Sequence, residues 1–327
     1  MDSVLHEFSS AFRKKVADRI AALSGEVQPV GLYEPVRWAL SAHGKMLRPV
    51  LLLTVCEAVG GRADDALDAA AALEMVHIFS LVHDDIMDND DMRRGRATVH
   101  KKWDVNTAIL AGDAILVKAY QALGGVSAVL LPQVLQMFSQ AILEVCEGQA
   151  LDMEFEHRSD VTVQDYFSMI ERKTGRLFSA ACALGALLGG GSREQIRSMS
   201  EFGAAVGRAF QIQDDMLDFT ADQSVLGKDI GSDLRRDKNS FLLLYAREHG
   251  TESQIARLRA LQNKPHFTAA DIQEAVCVLR ETGAVDAALR EVNSALDRAR
   301  ISLQCLNEEK PKLALEQLVE FIRMRES

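Results

Sequence analysis

Two aspartate clusters with the same spacing constrain this chain more than any other feature. Each reads Asp-Asp-x-x-Asp and follows an apolar stretch with helical periodicity; the six residues are Asp84, Asp85, Asp88, Asp214, Asp215 and Asp218. Residues three and four apart share one face of a helix, so each triplet brings its carboxylates together. Like charges at that spacing cost about 0.2–0.5 kcal/mol per pair. The repeated pattern therefore favours bound cations over two solvated acidic helix ends.

The chemistry of the clusters favours magnesium. Their ligands are hard carboxylate oxygens, with no cysteine and no histidine pair among them. Magnesium typically takes one or two carboxylates together with substrate phosphates. Arg93 and Arg94 lie just beyond the first cluster, where cationic side chains can meet such an anion.

The composition predicts one all-α domain over residues 1–327. Hydrophobic residues make up 48% of the chain and aromatic residues only 6%. Alanine and leucine are plentiful, and strict apolar/polar alternation is nearly absent, which favours helices over strands. No proline- or serine-rich linker divides the sequence, and its length is compatible with one large helical domain.

Charge and cysteine content favour a soluble cytoplasmic protein. The formal net charge of -10 argues against a nucleic-acid binder that relies on a general basic field. The five cysteines are scattered and odd in number, which indicates a reduced compartment. The N-terminus has no signal-peptide core. The most apolar stretches, Val50–Val59 and Phe178–Leu188, are too short to span a bilayer, so we expect no stable membrane insertion.

The apolar periodicity predicts a succession of helices separated by glycine-rich breaks. They cover residues 3–22, 28–42, 49–59, 63–88, 106–123, 132–155, 163–188, 193–219, 239–249, 251–262, 269–282, 284–304 and 311–325. Before the third helix, Gly44 permits a tight turn and Pro49 suits the first helical position. Lys45 and Arg48 lie where an anion could meet the N-terminus of that helix.

Assembled, these segments resemble the trans-prenyltransferases, the (E)-polyprenyl diphosphate synthases, from about Gly44 to Lys238. The resemblance implies the isoprenoid synthase fold, a single large helical bundle around a deep central cavity, with the two aspartate motifs facing each other across its mouth. It also implies a homodimer and three magnesium ions. The implied reaction joins isopentenyl diphosphate head to tail (1′-4) to an allylic diphosphate.

The resemblance also implies roles for individual residues. All six aspartates would be metal ligands, and magnesium would act as a Lewis acid on the departing pyrophosphate. Preorganised cationic donors to that leaving group would be Arg93, Lys173, Lys228 and Lys238. With Lys173, the oxygen dipoles of Thr174 and Gln211 would form the catalytic set beside the allylic cation. Taken without the aspartate motifs and the other site residues, Gln211 and the Lys173-Thr174 pair would be ordinary helix residues.

Four residues would bind the isopentenyl diphosphate head group: Lys45, Arg48, His77 and Arg94. By itself His77, on a mostly apolar helix, would be a core histidine. The double bond of this substrate would attack the allylic cation in a dry cavity. The released pyrophosphate would accept the proton, so no protein nucleophile is expected.

Two segments depart from the family pattern. His43 and Met46 replace the first Gly and the first Arg of Gly-Gly-Lys-Arg-x-Arg-Pro. The run Asp237-Lys238-Asn239-Ser240 replaces Gly-Lys-x-Thr. Since Lys45 and Arg48 are retained, we expect anion binding at the first segment to persist with altered contacts.

Residues upstream of Asp84 predict the product length. If the motif helix lines the cavity, Val76, Phe79 and Ser80 face the growing chain, with Phe79 as a floor and Ser80 leaving space beside it. Aromatic residues at helical spacing are also common in plain cores. No two-residue insertion separates Asp85 from Arg93, and this pattern resembles synthases that make the C20 product, geranylgeranyl diphosphate. The alternatives are the C15 product, farnesyl diphosphate, and a longer chain.

Other functions fit the sequence less well. A terpene cyclase or head-to-head synthase shares the fold, but cyclases usually pair the first motif with an Asn/Ser/Glu set. An inactive regulatory subunit typically loses motif acids, which this chain keeps. An EF-hand starting at Asp84 needs Gly at position six and Glu at twelve, where Asn89 and Gly95 stand. A purely structural helical protein is a further alternative.

Overall fold

The chain folds almost entirely into helices, which confirms the predicted all-α class. The computed structural model describes residues 4–25, 27–42, 44–220, 234, 238–262, 264 and 268–324. The helices are α1 Val4–Leu23, α2 Val30–Leu40, α3 Leu47–Ala58, α4 Ala63–Met87, α5 Val99–Lys102, α6 Val105–Ala122, α7 Leu131–Phe155, α8 Val163–Ile170, α9 Arg176–Leu188, α10 Arg193–Thr220, α11 Phe241–His249, α12 Glu252–Gln262, α13 Ala269–Glu281, α14 Ala284–Ser302 and α15 Glu309–Arg323.

Two local features differ from the predicted pattern. A hairpin of β1 (Met92–Arg93) and β2 (Arg96–Ala97) follows α4, with Met92 paired to Ala97 and Arg93 to Arg96. A π-helical turn at Glu171–Gly175 separates α8 from α9, where the apolar pattern predicts one continuous helix. Apolar spacing does not reveal either feature, because a π turn inserts only one residue per turn and the hairpin strands are very short.

The described chain divides into two compact units. The first contains the described parts of residues 1–142, 177–203 and 302–318. In it α4 packs against α1, α2, α3, α5 and α6. Every residue from Ala69 to Val76 is buried, as expected for a helix that is apolar on all sides. Gly185 of α9 lies close to α3, since a Cβ there would lie 2.3 Å from the carbonyl oxygen of Leu52.

The second unit contains the described parts of residues 143–176, 204–301 and 319–327. Helix α8 begins with a capping box between Thr162 and Asp165, which satisfies backbone N–H groups at its first turn. It packs against α11 through the rings of Tyr166, Phe167 and Phe241, whose centroids lie 5.7–6.0 Å apart. The single-domain assignment stays a prediction.

Helix α4 is long and apolar enough, by length and composition alone, to cross a membrane. Within its most apolar window, 61% of the residues are buried inside the protein. A buried core helix passes the same test, so this is weak support for a membrane span.

Candidate active site

The first aspartate motif forms the C-terminal end of α4. Asp84 and Asp88 are half-buried, whereas Asp85 is buried. Arg93 donates from Nε to Oδ1 of Asp85 at 2.5 Å. Burial raises the pKa of Asp85 to about 6, against the lowering effect of Arg93. The central carboxylate therefore anchors an arginine, and the outer two lie four residues apart on the helix.

The position of this motif strengthens the case for a cation. A helix C-terminus carries partial negative charge, and α4 has no basic residue in its last turn. The same holds for α10, whose final turns carry the second motif. Carboxylates at a helix C-terminus repel each other and the negative end of the helix dipole, and a bound cation would offset both effects. The carboxylate oxygens therefore suit a hard divalent cation.

The hairpin directs two arginines in different directions. Arg94 and Gly95 both have left-handed backbones, with φ values of 53° and 73°, which is the pattern of a two-residue type I′ turn. A non-glycine residue in this region costs roughly 1–2 kcal/mol. Arg94 donates from Nη1 to the carbonyl oxygen of Ala42 at 2.5 Å, while Arg93 turns back to Asp85.

Gly44 provides space for Arg94. A Cβ at Gly44 would lie 2.4 Å from the guanidinium carbon of Arg94, far inside van der Waals distance. Its backbone is not left-handed, so a side chain at this position would be limited by the Arg94 guanidinium, which would have to move, and not by backbone strain. Met46, in contrast, has a left-handed backbone with φ of 49° and is the N-cap of α3.

Arg48 and His77, two residues of the predicted isopentenyl diphosphate site, interact with each other. Nη1 of Arg48 lies 3.3 Å from Nε2 of His77. Because arginine can only donate, Nε2 is the acceptor and the ring proton is on Nδ1. Burial, with Arg48 next in effect, holds the pKa of His77 well below its usual value. The neutral imidazole therefore orients Arg48, whose guanidinium also lies 4.5 Å from the ring centroid of Phe178.

Glu74 is a buried carboxylate of α4 that the sequence analysis did not assign to the site. It is 1% exposed, and its Oε2 has no hydrogen-bond partner among the described residues. Burial raises its pKa, and the charges of Arg48 and Arg94 lower it. One indication of this was present in the sequence, because Glu74 lies three residues before His77 and so on the same face of the helix.

The second motif centres on a fully engaged carboxylate. Asp215 accepts from the hydroxyl of Tyr166 at 2.7 Å, from Nε2 of Gln211 at 3.0 Å and from the backbone N–H of Phe241 at 3.0 Å. Burial raises the pKa of Asp215 to about 6, although these three donors favour the carboxylate. Ser240, the N-cap residue of α11, forms no side-chain cap, so Asp215 supplies an acceptor for the first N–H of that helix.

Gln211 and Thr174, two residues of the predicted catalytic set, are hydrogen-bonded to each other. The Thr174 hydroxyl donates to Oε1 of Gln211 at 2.8 Å. The amide group of Gln211 donates to Asp215 at 3.0 Å, and this bond turns its carbonyl oxygen towards Thr174. A chain of hydrogen bonds therefore runs from Tyr166 through Asp215 and Gln211 to the π turn.

Lys173 lies within the π turn and is anchored by Asp152 of α7. Its Nζ lies 2.5 Å from Oδ2 of Asp152, and both side chains are largely buried. Gly148 allows α7 to approach, because a Cβ there would lie 2.3 Å from the backbone nitrogen of Lys173. The sequence did not identify Asp152 and Tyr166 as site residues. Each lies far along the chain from its partner, so no local spacing links the two.

The remaining predicted site residues fall into several environments. Lys45 is exposed, Lys238 is half-buried three residues before Phe241, Asp214 is half-buried and Asp218 is buried. Val76 is buried, and Ser80 donates to the carbonyl oxygen of His77 at 2.9 Å. Phe79 packs edge to face against His83, with centroids 4.7 Å apart. Lys228 and His43 lie outside the described residues.

No three carboxylate, histidine or cysteine groups form a ready-made metal cluster among the described residues. Magnesium does not require one, because it is usually held by one or two carboxylates together with substrate phosphates and water. The residues present therefore fit a metal that is completed by its ligand.

Comparison with known proteins gives consistent similarities. A family model described as polyprenyl synthetase matches residues 29–279. The geranylgeranyl diphosphate synthase of Methanosarcina mazei is 40% identical over 301 residues, which are 91% of each chain. The geranylgeranyl pyrophosphate synthetase structure from Pyrococcus horikoshii matches with a TM-score of 0.93 and 39% identity, over 99% of this chain and 98% of the other. The Caulobacter crescentus polyprenyl synthase with calcium and isoprenyl diphosphate matches with a TM-score of 0.88 and 26% identity, over 99% and 98%.

Proposed function

Because the chain belongs to the polyprenyl synthetase family and is a prenyltransferase that uses isoprenoid diphosphates, we propose that it makes geranylgeranyl diphosphate. It would do so by head-to-tail condensation of isopentenyl diphosphate with an allylic diphosphate. The observation that carries the proposal is the pair of Asp-Asp-x-x-Asp motifs, each with its central carboxylate held by protein donors. The names of the Methanosarcina and Pyrococcus relatives support the C20 product.

The allylic diphosphate would be held through divalent cations, as the calcium and isoprenyl diphosphate in the Caulobacter structure suggest. We assign magnesium, with three ions, to the outer carboxylates of the motifs, which are Asp84, Asp88, Asp214 and Asp218. When bound, these ions neutralise the charge that grows on the departing diphosphate. Asp85 and Asp215 support the site through the side chains that they anchor.

Arg93 and Lys173 would donate to the same leaving group. Both are fixed by carboxylates before any substrate arrives, Arg93 by Asp85 and Lys173 by Asp152. Donors that are already in place stabilise the developing charge without reorganisation. Thr174 and Gln211 would turn oxygen dipoles towards the allylic cation, and Lys228 and Lys238 would complete the diphosphate site.

Isopentenyl diphosphate would bind at Lys45, Arg48 and Arg94, with His77 orienting Arg48. A small cavity of about 40 Å³ beside the hairpin is lined in part by Arg93, Arg94 and Arg96. The double bond of this substrate would attack the allylic cation, and the released pyrophosphate would take the proton. The reaction cavity must exclude water, which would otherwise capture the cation.

Replacing Gly44 with alanine should raise the KM for isopentenyl diphosphate about 10- to 100-fold. The added Cβ would occupy the place of the Arg94 guanidinium, and a hydrogen bond to a charged group contributes about 1.5–3 kcal/mol. Steady-state kinetics at saturating allylic substrate would measure it, with kcat changing less than about threefold. Gly31→Ala is the control, because a Cβ at Gly31 meets nothing within 4 Å; equal effects of both changes would contradict the assignment.

Replacing Phe79 with alanine should lengthen the product by at least one five-carbon unit. If this ring is the floor of the chain-binding cavity, its removal opens space beside its packing partner His83. Chromatography of the dephosphorylated products would measure the distribution. The exposed Phe321 gives a control, since Phe321→Ala should leave the C20 product. An unchanged distribution in Phe79→Ala would remove Phe79 from the floor.

The function is tested by incubating the purified protein with labelled isopentenyl diphosphate and the C5, C10 or C15 allylic diphosphate. We expect incorporation with magnesium, loss of incorporation with excess chelator, and C20 as the longest main product. No incorporation with any starter would falsify the proposed condensation for the isolated chain. A main product of C15, or one longer than C20, would leave the reaction in place and overturn the proposed length.

We also propose that the protein is a homodimer and that α6 lies in the interface. Helix α6 exposes a set of large apolar side chains: Val105, Ile109, Leu110, Val117 and Tyr120. Exposed apolar groups of this kind mark association surfaces when they lie together. A cytoplasmic location remains a prediction from the sequence.

Replacing Val117 with glutamate should convert the dimer to a monomer of 36.0 kDa. Val117 is 58% exposed, so the charge is tolerated in the monomer but would be desolvated in an interface. Light scattering after size exclusion would measure the mass. Gln133→Glu on α7, also at an exposed position, adds the same charge and should remain dimeric. A monomeric wild type, or a dimeric Val117→Glu protein, would contradict the proposal.

A further inference from the structure

The π turn at Glu171–Gly175 depends on its surroundings. Such turns are rare, and they occur mostly as isolated insertions inside α-helices, frequently at functional sites. This one carries Lys173 and Thr174. The interactions that fix the turn therefore decide where these two side chains lie.

Helix α7 supports one side of the turn through three carboxylates. Asp152 binds Lys173 at 2.5 Å, and Glu147 lies 3.6 Å from Arg172. Glu144 forms an ion pair with Arg176, the first residue of α9. These ion pairs hold the cationic residues of the turn but not its first residue, Glu171.

Arg208 of α10 holds that first residue. Its Nη1 donates to Oε1 of Glu171 at 3.0 Å, and its Nη2 donates to Oε2 of Glu291 at 2.9 Å. The guanidinium carbon lies 3.6 Å from the ring centroid of Phe167, and the side chain is only 16% exposed. A planar guanidinium suits this combination of forked hydrogen bonding and ring stacking, whereas an ammonium group does not.

Arg208 and Gln211 form two matched hydrogen bonds with the turn. They lie three residues apart on α10, and their partners Glu171 and Thr174 lie three residues apart in the turn. Lys173 lies between the two bonded positions in sequence. With both bonds made, the turn has one register against α10. Without the arginine, Glu171 would lose this partner on α10, while the hydrogen bond of Thr174 to Gln211 would remain.

We propose that Arg208 is a positioning residue for prenyl transfer, which sets the register of the π turn against α10 through Glu171 and thereby places Lys173 and Thr174. It does not touch the reacting atoms. The inference rests on the proposed roles of Lys173 and Thr174 in the reaction. Since α10 also carries Gln211 and the second aspartate motif, Arg208 links the turn to the helix that bears the predicted metal ligands.

The test compares Arg208→Met, Glu171→Met and Glu291→Met with the wild type. We expect Arg208→Met and Glu171→Met each to lower kcat about 10- to 100-fold, because small displacements of positioned groups have effects of this size. The KM for isopentenyl diphosphate should change less than about threefold. Glu291→Met removes the other hydrogen-bond acceptor of the same guanidinium and should keep kcat within about twofold. Assays are made below the melting temperature of every variant.

Thermal melts separate positioning from stability. If Arg208 only stabilised the fold, kcat would follow the melting temperature, and Glu291→Met would lose as much activity as Glu171→Met; that result would overturn the inference. The double variant of Arg208→Met with Glu171→Met should be no worse than Arg208→Met alone, since both changes remove the same ion pair. Additive losses would also contradict it. Arg208→Lys should recover only part of kcat.

Lys173→Met, measured beside these variants, distinguishes a failure of the role proposed for Arg208 from a failure of the role proposed for Lys173. A large kcat loss in Lys173→Met with none in Arg208→Met would overturn the role of Arg208 and leave the proposed active site in place. An unchanged kcat in Lys173→Met would overturn the role assigned to Lys173, and the inference with it.

Discussion

Replacing Asp84 with asparagine should lower kcat for prenyl transfer by about a thousandfold. A metal that neutralises a leaving diphosphate contributes several kcal/mol of charge stabilisation, and about 1.4 kcal/mol corresponds to a factor of ten in rate. Asparagine keeps the size of the side chain but removes the charge that attracts the cation. Asp88→Asn should have an effect of similar size, because Asp88 lies four residues on at the end of α4.

The loss should be measured at saturating substrates over a range of magnesium concentrations. Asp91→Asn gives a matched control, since it removes one negative charge three residues beyond Asp88 from a side chain that is 75% exposed and paired with Lys101. We expect its kcat to stay within about twofold of the wild type, as exposed ion pairs contribute little. If Asp84→Asn kept more than about a tenth of the wild-type kcat, Asp84 would not be a metal ligand.

Sequence spacing marked the members of each triplet, but it did not show that they differ in role. The apolar residues were sufficient to place α4, which is long and apolar on all sides, and α10, which is long and amphipathic. Asp85 differs from Asp84 through Arg93, which the hairpin returns to it. Asp215 differs from Asp214 through Tyr166 and Phe241, which lie 49 and 26 residues away in the chain. Such long-range partners leave no local pattern.

The sequence also did not predict the local backbone geometry around the candidate site. The hairpin tip is Arg94-Gly95, whereas Asn-Gly or Asp-Gly is the usual signal for this turn. The left-handed backbone of Met46 occurs at one of the two positions where the segment departs from its family pattern. The pairing of Glu171 with Arg208 could not be read from a helix that was predicted to be continuous. In each case tertiary interactions select a conformation that local propensity does not favour.

Replacing Asp215 with alanine should destabilise the fold by about 3 kcal/mol or more and lower kcat about a hundredfold. The change leaves three buried donors without their acceptor, on Tyr166, Gln211 and the backbone of Phe241, and one unsatisfied buried donor costs about 1–3 kcal/mol. The kcat loss follows because Gln211, once released, no longer turns its oxygen to Thr174. Urea unfolding and steady-state kinetics on the same sample would measure both effects.

Asp214→Asn separates anchoring from metal binding at adjacent positions. If Asp214 holds a cation and Asp215 holds the protein, Asp214→Asn should lose kcat with little change in unfolding free energy, while Asp215→Ala should lose both. Asp165→Ala provides a stability control at an exposed capping box, where about 1 kcal/mol is expected. An equal unfolding free energy for Asp215→Ala and Asp214→Asn would mean that the three hydrogen bonds of Asp215 do not stabilise the fold. Its carboxylate would then be assigned to the metal ligands.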